Sequence, residues 1–419
     1  KMKRFDVLVL GAGMVGLGTA LALLSRGRSV ALVDRRGPAE ETSYGNAGLI
    51  HAEAVMPYSF PRDLGVILGT LAGRRTDARV SWPALRHTAP WLIAFARAGR
   101  PEQVMATALA TVPLTGRAVE THRALSERAG AMHFWHENGY LRAFRSEAVL
   151  AQAVRENEAL RERFGIPFET LDGATLGEAE PHLLIPLAGA IHMTSPVRID
   201  DPGGLGKAYA ALFEREGGTF VEADAMGLEA TDAGFRLAGP DGGLTAREAV
   251  VTLGPWSGDL LQRLGVRVPL GVKRGYHRHF RPKGNAVLNT LVFDEENRVV
   301  LAPTRHGIRI TSGAEFARRD DPPSPVQLTR LEPIAREVFP LGDPVEAQPW
   351  MGSRPCLPDL VPMVGPVPGV AGLYANFGHH HLGFSLGPAT GQLVAEMMTG
   401  EAPFTDPAPY RVERFGRLR

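Results

Sequence analysis

The 419-residue chain carries 44% hydrophobic and 22% charged residues at a formal net charge of +1, typical of a soluble globular protein but too long for one ordinary core. That near-neutral balance argues against nucleic acid as a partner. A lone cysteine, Cys356, excludes an internal disulfide framework and suits a reducing, cytoplasmic compartment, and no apolar run is long enough to span a bilayer, although a peripheral membrane contact would leave little trace in composition.

The apolar run after Lys3 and Arg4 breaks into glycines too soon for a signal peptide. Val7 to Leu10 read instead as a strand buried on both faces. Gly11, Gly13 and Gly16 follow, then Leu17, Ala20, Leu21 and Leu24 at helical spacing, with Gly27 as the stop. Ser29 to Val33 make a second strand that closes on Asp34, 18 residues after Gly16. This βαβ unit has a dinucleotide-binding pattern. Gly11 allows the tight turn, Gly13 the approach of a pyrophosphate, and Gly16 close packing of helix on strand; Asp34 can accept from a ribose. FAD, NAD and NADP all remain open here. Asp34 disfavours NADP, while Arg35 and Arg36 could greet a 2′-phosphate. The next segment, with Ser43, Gly45, Asn46, Ala47 and Gly48, suits backbone lying against a ligand.

Residues 51–130 read mostly as helix, with proline stops at Pro90 and Pro113. An extended stretch from Met132 carries Asn138-Gly139 as a hairpin-type turn, and a charged helix spans Glu147 to Phe164. Asp201 then caps a new helix that stops at Gly217-Gly218. After it come a strand rejoining the first sheet, a hairpin at Pro240 to Gly243, and the strand Ala249 to Leu253 running into Gly254-Pro255-Trp256. Strands return from Val266 to about Pro349, and the chain closes on Gly378, three histidines and a last helix.

These segments resemble the FAD-dependent amine and amino-acid oxidoreductases of the D-amino-acid oxidase superfamily, most closely the bacterial D-amino-acid dehydrogenase branch. The resemblance rests on the opening fingerprint, Thr42–Gly48, Val250–Ser257, Lys273–Tyr276, Arg309–Phe316, Gly352–Gly365 and Phe377–Ser385. It implies an α/β fold, a Rossmann-like FAD-binding domain interleaved with a smaller α+β substrate domain. Residues 1–50, 196–265 and 350–419 would form the first, and 51–195 and 266–349 the second. In that frame Gly11, Gly13, Gly16, Asp34 and Arg35 would serve the pyrophosphate and adenosine ribose. Ser43, Asn46, Ala47, Gly48 and Leu49 would run up to the isoalloxazine. Met226 would touch the adenine, and Gly254 joins the cofactor-binding set. Gly378, His379, Leu382, Gly383, Phe384 and Ser385 would wrap the flavin, with the last helix's positive end near N1 and C2=O. The superfamily's flavin-linking cysteine aligns near Gly352, so the FAD is expected to be non-covalent.

For catalysis the resemblance offers Arg354 as the bidentate holder of a substrate carboxylate; an ion pair with Asp359 is the alternative. Tyr276 could add a hydrogen bond to the same carboxylate. His51 could line the site. Three consecutive histidines cannot converge on one ion, so no metal is expected; His381 should face the substrate and His379 the flavin. His381 also resembles the D-proline and D-hydroxyproline dehydrogenase relatives. The expected activity is an FAD-dependent dehydrogenase of D-amino acids, a cyclic one such as D-proline or D-hydroxyproline included, delivering electrons to a quinone or other acceptor. An oxygen-using glycine or sarcosine oxidase, or a flavin-binding electron-transfer subunit of a larger complex, are the alternatives.

Overall fold

The computed structural model describes residues 2–416. In chain order the elements that position the site begin with β1 (Lys3–Leu10), α1 (Met14–Leu24), β2 (Val30–Asp34) and α2 (Pro101–Ala129). Next come α3 (Pro202–Arg215), β3 (Thr219–Glu222), β4 (Leu244–Val251) and β5 (Gly271–Pro282). The last are β6 (Trp350–Cys356), β7 (Leu373–Phe377) and α4 (Gly383–Thr399).

A parallel sheet runs in the order β3, β2, β1, β4, β7, with Leu10 in register with both Val33 and Val251. The apolar run Val7–Leu10 is fully buried because it packs on both sides. Val7 and Val9 meet the layer of α1, α3 and α4, while Leu8 and Leu10 meet Leu260, Leu261 and Phe377. A larger mixed sheet of 11 strands covers one end of this body. Its strand β5 pairs with β6 on one edge, placing Lys273 opposite Arg354 and Gly275 opposite Gly352, and with Gly307–Thr311 on the other.

Several sequence expectations need correction. β6 belongs to the mixed sheet, so the domain line expected at residue 350 falls after Cys356. α2, expected in the substrate domain, packs through Ala110, Leu114 and Ala118 into the core of the parallel-sheet domain. Pro90 and Pro113 lie inside helices. The carbonyls that they leave unbonded belong to Arg86 and Leu109, both solvent-facing, where water can satisfy them. Asn138-Gly139 is not a hairpin: Trp135–His136 pairs with Val197–Ile199 and Tyr140–Phe144 with the mixed sheet.

His122 on α2 is fully buried, with Nε2 2.8 Å from the Phe384 carbonyl of α4 and Nδ1 3.0 Å from the Tyr209 hydroxyl. Burial lowers its pKa to about 4, and lowers His379 and His380 to about 3. An unfolded chain protonates these rings near pH 6.5. Between those values the unfolded state binds more protons, so stability is complete above about pH 6.5 and falls as the pH drops. His122 alone contributes roughly 3 kcal/mol to that loss by pH 4. Urea midpoints measured from pH 7 to 4.5 should therefore fall steeply in the wild type and less so in His122→Gln; equal slopes would refute the assignment.

Candidate active site

A long cleft opens at the carboxyl ends of β1, β2, β4 and β7. Its floor is the β1–α1 turn. Gly11 has φ +108° and a β-carbon there would sit 2.5 Å from the Thr252 carbonyl oxygen. Gly16 approaches so closely that its β-carbon would fall 1.7 Å from the Gly11 oxygen, so it builds the turn without lining the cleft. Gly13 stays open to the cleft, and the Ser43 hydroxyl accepts the Met14 N–H at 2.9 Å, at the cleft-facing start of α1.

At one end Asp34 accepts from the N–H groups of Ala12 (2.7 Å) and Arg36 (3.1 Å), and burial raises its pKa against their pull. Arg35 lies 4.3 Å over the Trp256 ring, beside Met226 and Gly254 on the cleft wall. In the middle, Asn46 and Ala47 line the cleft, and the Asn46 side chain accepts the Gly48 N–H at 2.8 Å. Gly48, Leu49, Leu382 and Ser385 stand behind the wall. Ser385 Oγ accepts the His51 N–H and donates to the Leu49 carbonyl, both at 3.0 Å, which ties the start of α4 to the loop after Gly48.

Gly378, His379, Gly383 and Phe384 form the far wall. His379 turns its Nε2 to the Thr390 hydroxyl of α4 at 2.9 Å. His380 takes φ +46°, a left-handed geometry that costs a residue with a β-carbon about 1–2 kcal/mol. His380 and His381 meet through their Nδ1 atoms at 2.9 Å, so one must donate and the other accept. Burial and neighbouring cations hold His381 well below its usual pKa, and both rings are neutral at pH 7.

Arg354 lies where this cleft joins a second, largely apolar chamber, and it lines both. Its one hydrogen bond is to the Gly313 carbonyl at 3.2 Å, and among the described residues no carboxylate pairs with it. The Asp359 alternative fails because Asp359 is bound by Arg414 at 2.7 and 3.2 Å. Gly275 makes room for the guanidinium: a β-carbon there would lie 2.4 Å from Arg354 Nη2. Burial lowers the Arg354 pKa. Tyr276 corrects its expected role. Its ring borders the cleft, but its hydroxyl donates to Glu315 (2.7 Å) and accepts the Ser324 N–H (2.9 Å), inside a buried network with Arg274. A hydroxyl so committed is not free for a substrate carboxylate.

Over residues 6–397 the chain matches the FAD dependent oxidoreductase family, DAO. It belongs to that family. It is 29% identical over 98% of both chains to a D-amino-acid oxidase of Bradyrhizobium diazoefficiens. A D-amino acid dehydrogenase of Rhizorhabdus wittichii is 30% identical over 98% of this chain and 100% of its own. Among solved structures, glycine oxidase from Geobacillus kaustophilus superposes with a TM-score of 0.75 at 22% identity, covering 98% and 99% of the two chains. L-proline dehydrogenase from P. horikoshii gives 0.72 at 18% over the full length of both.

The cofactor of the DAO family is FAD, and the cleft fits it. Two helix starts, α1 at Met14 and α4 at Gly383, open on one cleft, so the positive ends of both helices point towards bound phosphate or flavin oxygens. They converge because α1 and α4 cross in backbone contact. β-Carbons on Gly18, Gly387 and Gly391 would each lie within 2.5–2.8 Å of the opposite helix's backbone. Sequence reading missed these three glycines, although a helix carrying several of them was a visible signal. It also missed Trp350, whose ring fills the space that Gly45 and Gly352 leave bare and stacks on His277 at 4.7 Å.

Proposed function

We propose that this DAO-family protein is an FAD-dependent dehydrogenase of D-amino acids that oxidises the Cα–N bond to an imino acid. The observation that carries the reading is Arg354, a half-buried guanidinium without a carboxylate partner at the junction of cofactor cleft and chamber. An unpaired buried cation is costly unless a ligand supplies the anion, and a planar fork fits a carboxylate. The two curated relatives, each named for D-amino acids, support the substrate class.

Arg354 would hold the α-carboxylate and thereby point the single hydrogen of Cα at the cofactor. FAD, when bound, accepts that hydrogen with its electron pair. The substrate ammonium gives up a proton to solvent, and water later hydrolyses an acyclic imino acid to the 2-oxo acid. His381 would serve as a neutral hydrogen-bonding ring; its low proton affinity makes it a poor base. Gly352 offers no thiol where the superfamily's flavin link aligns, which supports non-covalent FAD. The chamber beyond Arg354 is larger than a pyrrolidine ring needs, so open-chain substrates suit it better than D-proline or D-hydroxyproline.

A quinone is the acceptor we favour. Among the described residues no helix is long and apolar enough to cross a membrane, but helix Leu64–Leu71 has no buried residue and exposes Leu64 and Leu68. Arg62, Arg74, Arg86 and Arg97 are exposed around it and the neighbouring helix, a combination suited to an anionic membrane surface. Anaerobic mixing with D- and L-amino acids should bleach bound flavin with D-isomers only, and a quinone analogue should restore the colour faster than air. Peroxide formed in step with turnover would instead show an oxidase, and no bleaching would leave an electron-transfer subunit.

A further inference from the structure

The second chamber contains a cation that the reaction above does not use. Lys273 and Arg354 sit directly opposite each other on β5 and β6, so both side chains leave the same face of the sheet. They then diverge. Arg354 leans over Gly275 towards the cofactor cleft, whereas Lys273 runs the other way into an aromatic box, its Nζ 4.0 Å from the Phe95 ring centre and 5.7 Å from those of Trp91 and Phe316. Both line the chamber, and among the described residues neither has an acidic partner.

The other charges in the chamber wall are already matched. Arg75 grips Asp77 at 2.6 and 2.7 Å, and Arg298 meets Glu295 at 2.9 Å. The rest of the lining is mostly apolar, including Val66, Leu71, Leu92 and Val300. Such a lining excludes water, which strengthens attraction between an ammonium and any anion that reaches it. It also favours methylene groups between the two cations. Two unpaired cations that diverge from paired positions into one apolar chamber call for a ligand with two anions and an apolar stem.

We propose that Lys273 binds a side-chain carboxylate of the substrate while Arg354 binds its α-carboxylate, making open-chain acidic amino acids with several side-chain methylenes the preferred substrates. This rests on Arg354 as the α-carboxylate holder, and it makes Lys273 a specificity-determining residue. Aromatic rings hold the ammonium in place before substrate arrives, each such contact being weaker than a charge-assisted hydrogen bond.

The test uses purified holoenzyme and needs no turnover. Flavin absorbance is titrated with glutarate, adipate and pimelate, and with the monocarboxylates of equal length. The best diacid should bind about tenfold tighter than its monoacid, the net gain from one added charge-assisted contact. Lys273→Met should remove that advantage and keep monoacid affinity within about twofold, while Lys273→Arg should retain most of it. Diacids no tighter than monoacids at any length, or an advantage that survives Lys273→Met, would overturn the inference. In turnover, wild-type enzyme should prefer D-2-aminoadipate to D-norleucine and Lys273→Met should not. Lys273-dependent diacid binding without oxidation of any amino acid would support this site and defeat the proposed reaction instead.

Discussion

Arg354→Leu should lower kcat/KM for the amino-acid substrate by roughly thirtyfold to several-thousandfold, the about 2–5 kcal/mol lost when a buried charged contact is truncated. Bound flavin should be unchanged, because the side chain's hydrogen bond runs to the Gly313 carbonyl and not to the β1–α1 turn. Stability should move the other way. The wild-type protein carries part of the desolvation cost of a half-buried guanidinium with no carboxylate beside it, and leucine removes that cost. The variant should therefore melt at or above the wild-type temperature while losing activity. A structural arginine would give the opposite pair of results, lower stability with turnover largely kept. Arg354→Lys should recover only part of the activity, since an ammonium cannot make the parallel two-point contact. Gly275→Ala should show a smaller loss, because its methyl would press on the guanidinium and tilt it off the cleft. Intact turnover in Arg354→Leu would remove the basis for the proposed function.

What could be read along the chain was what neighbouring residues decide. β1, α1 and β2 follow from a local pattern, and Gly11, Gly13 and Gly16 do the three separate jobs that their spacing implies. Arg354 and the turn from Gly378 to Phe384 came through a family resemblance, and both meet at the cleft. Where the reading went wrong, partners distant in sequence decided the outcome. The Tyr276 hydroxyl is taken by Glu315, 39 residues on, so its type and its place on a strand could not reveal the loss. β6 looks like any short strand until its register with β5 assigns it to the mixed sheet. Pro113 is tolerated inside its helix where the freed carbonyl belongs to Leu109, a residue 58% exposed on the solvent side. Lys273 gains meaning only once Arg354 stands opposite it with neither paired.

The crossing of α1 and α4 gives the second large effect. Gly391→Ala would place a β-carbon 2.5 Å from the Gly18 carbonyl carbon and the Thr19 nitrogen. These are backbone atoms of a hydrogen-bonded helix, so no side chain can swing aside. The helices must part by about 1 Å, and overpacking of this kind costs about 3 kcal/mol, or more where the contact is backbone on backbone. The same displacement separates the starts of α1 and α4, which face the cofactor together. The variant should thus purify largely free of flavin and unfold at lower urea. Gly116→Ala is the control. That position lies inside α2 with nothing within 4 Å of an added β-carbon. There, alanine should stabilise by about 0.5–1 kcal/mol through helix propensity alone. If Gly391→Ala keeps its flavin and its stability as Gly116→Ala does, close helix contact is not what brings the two helix starts to one site.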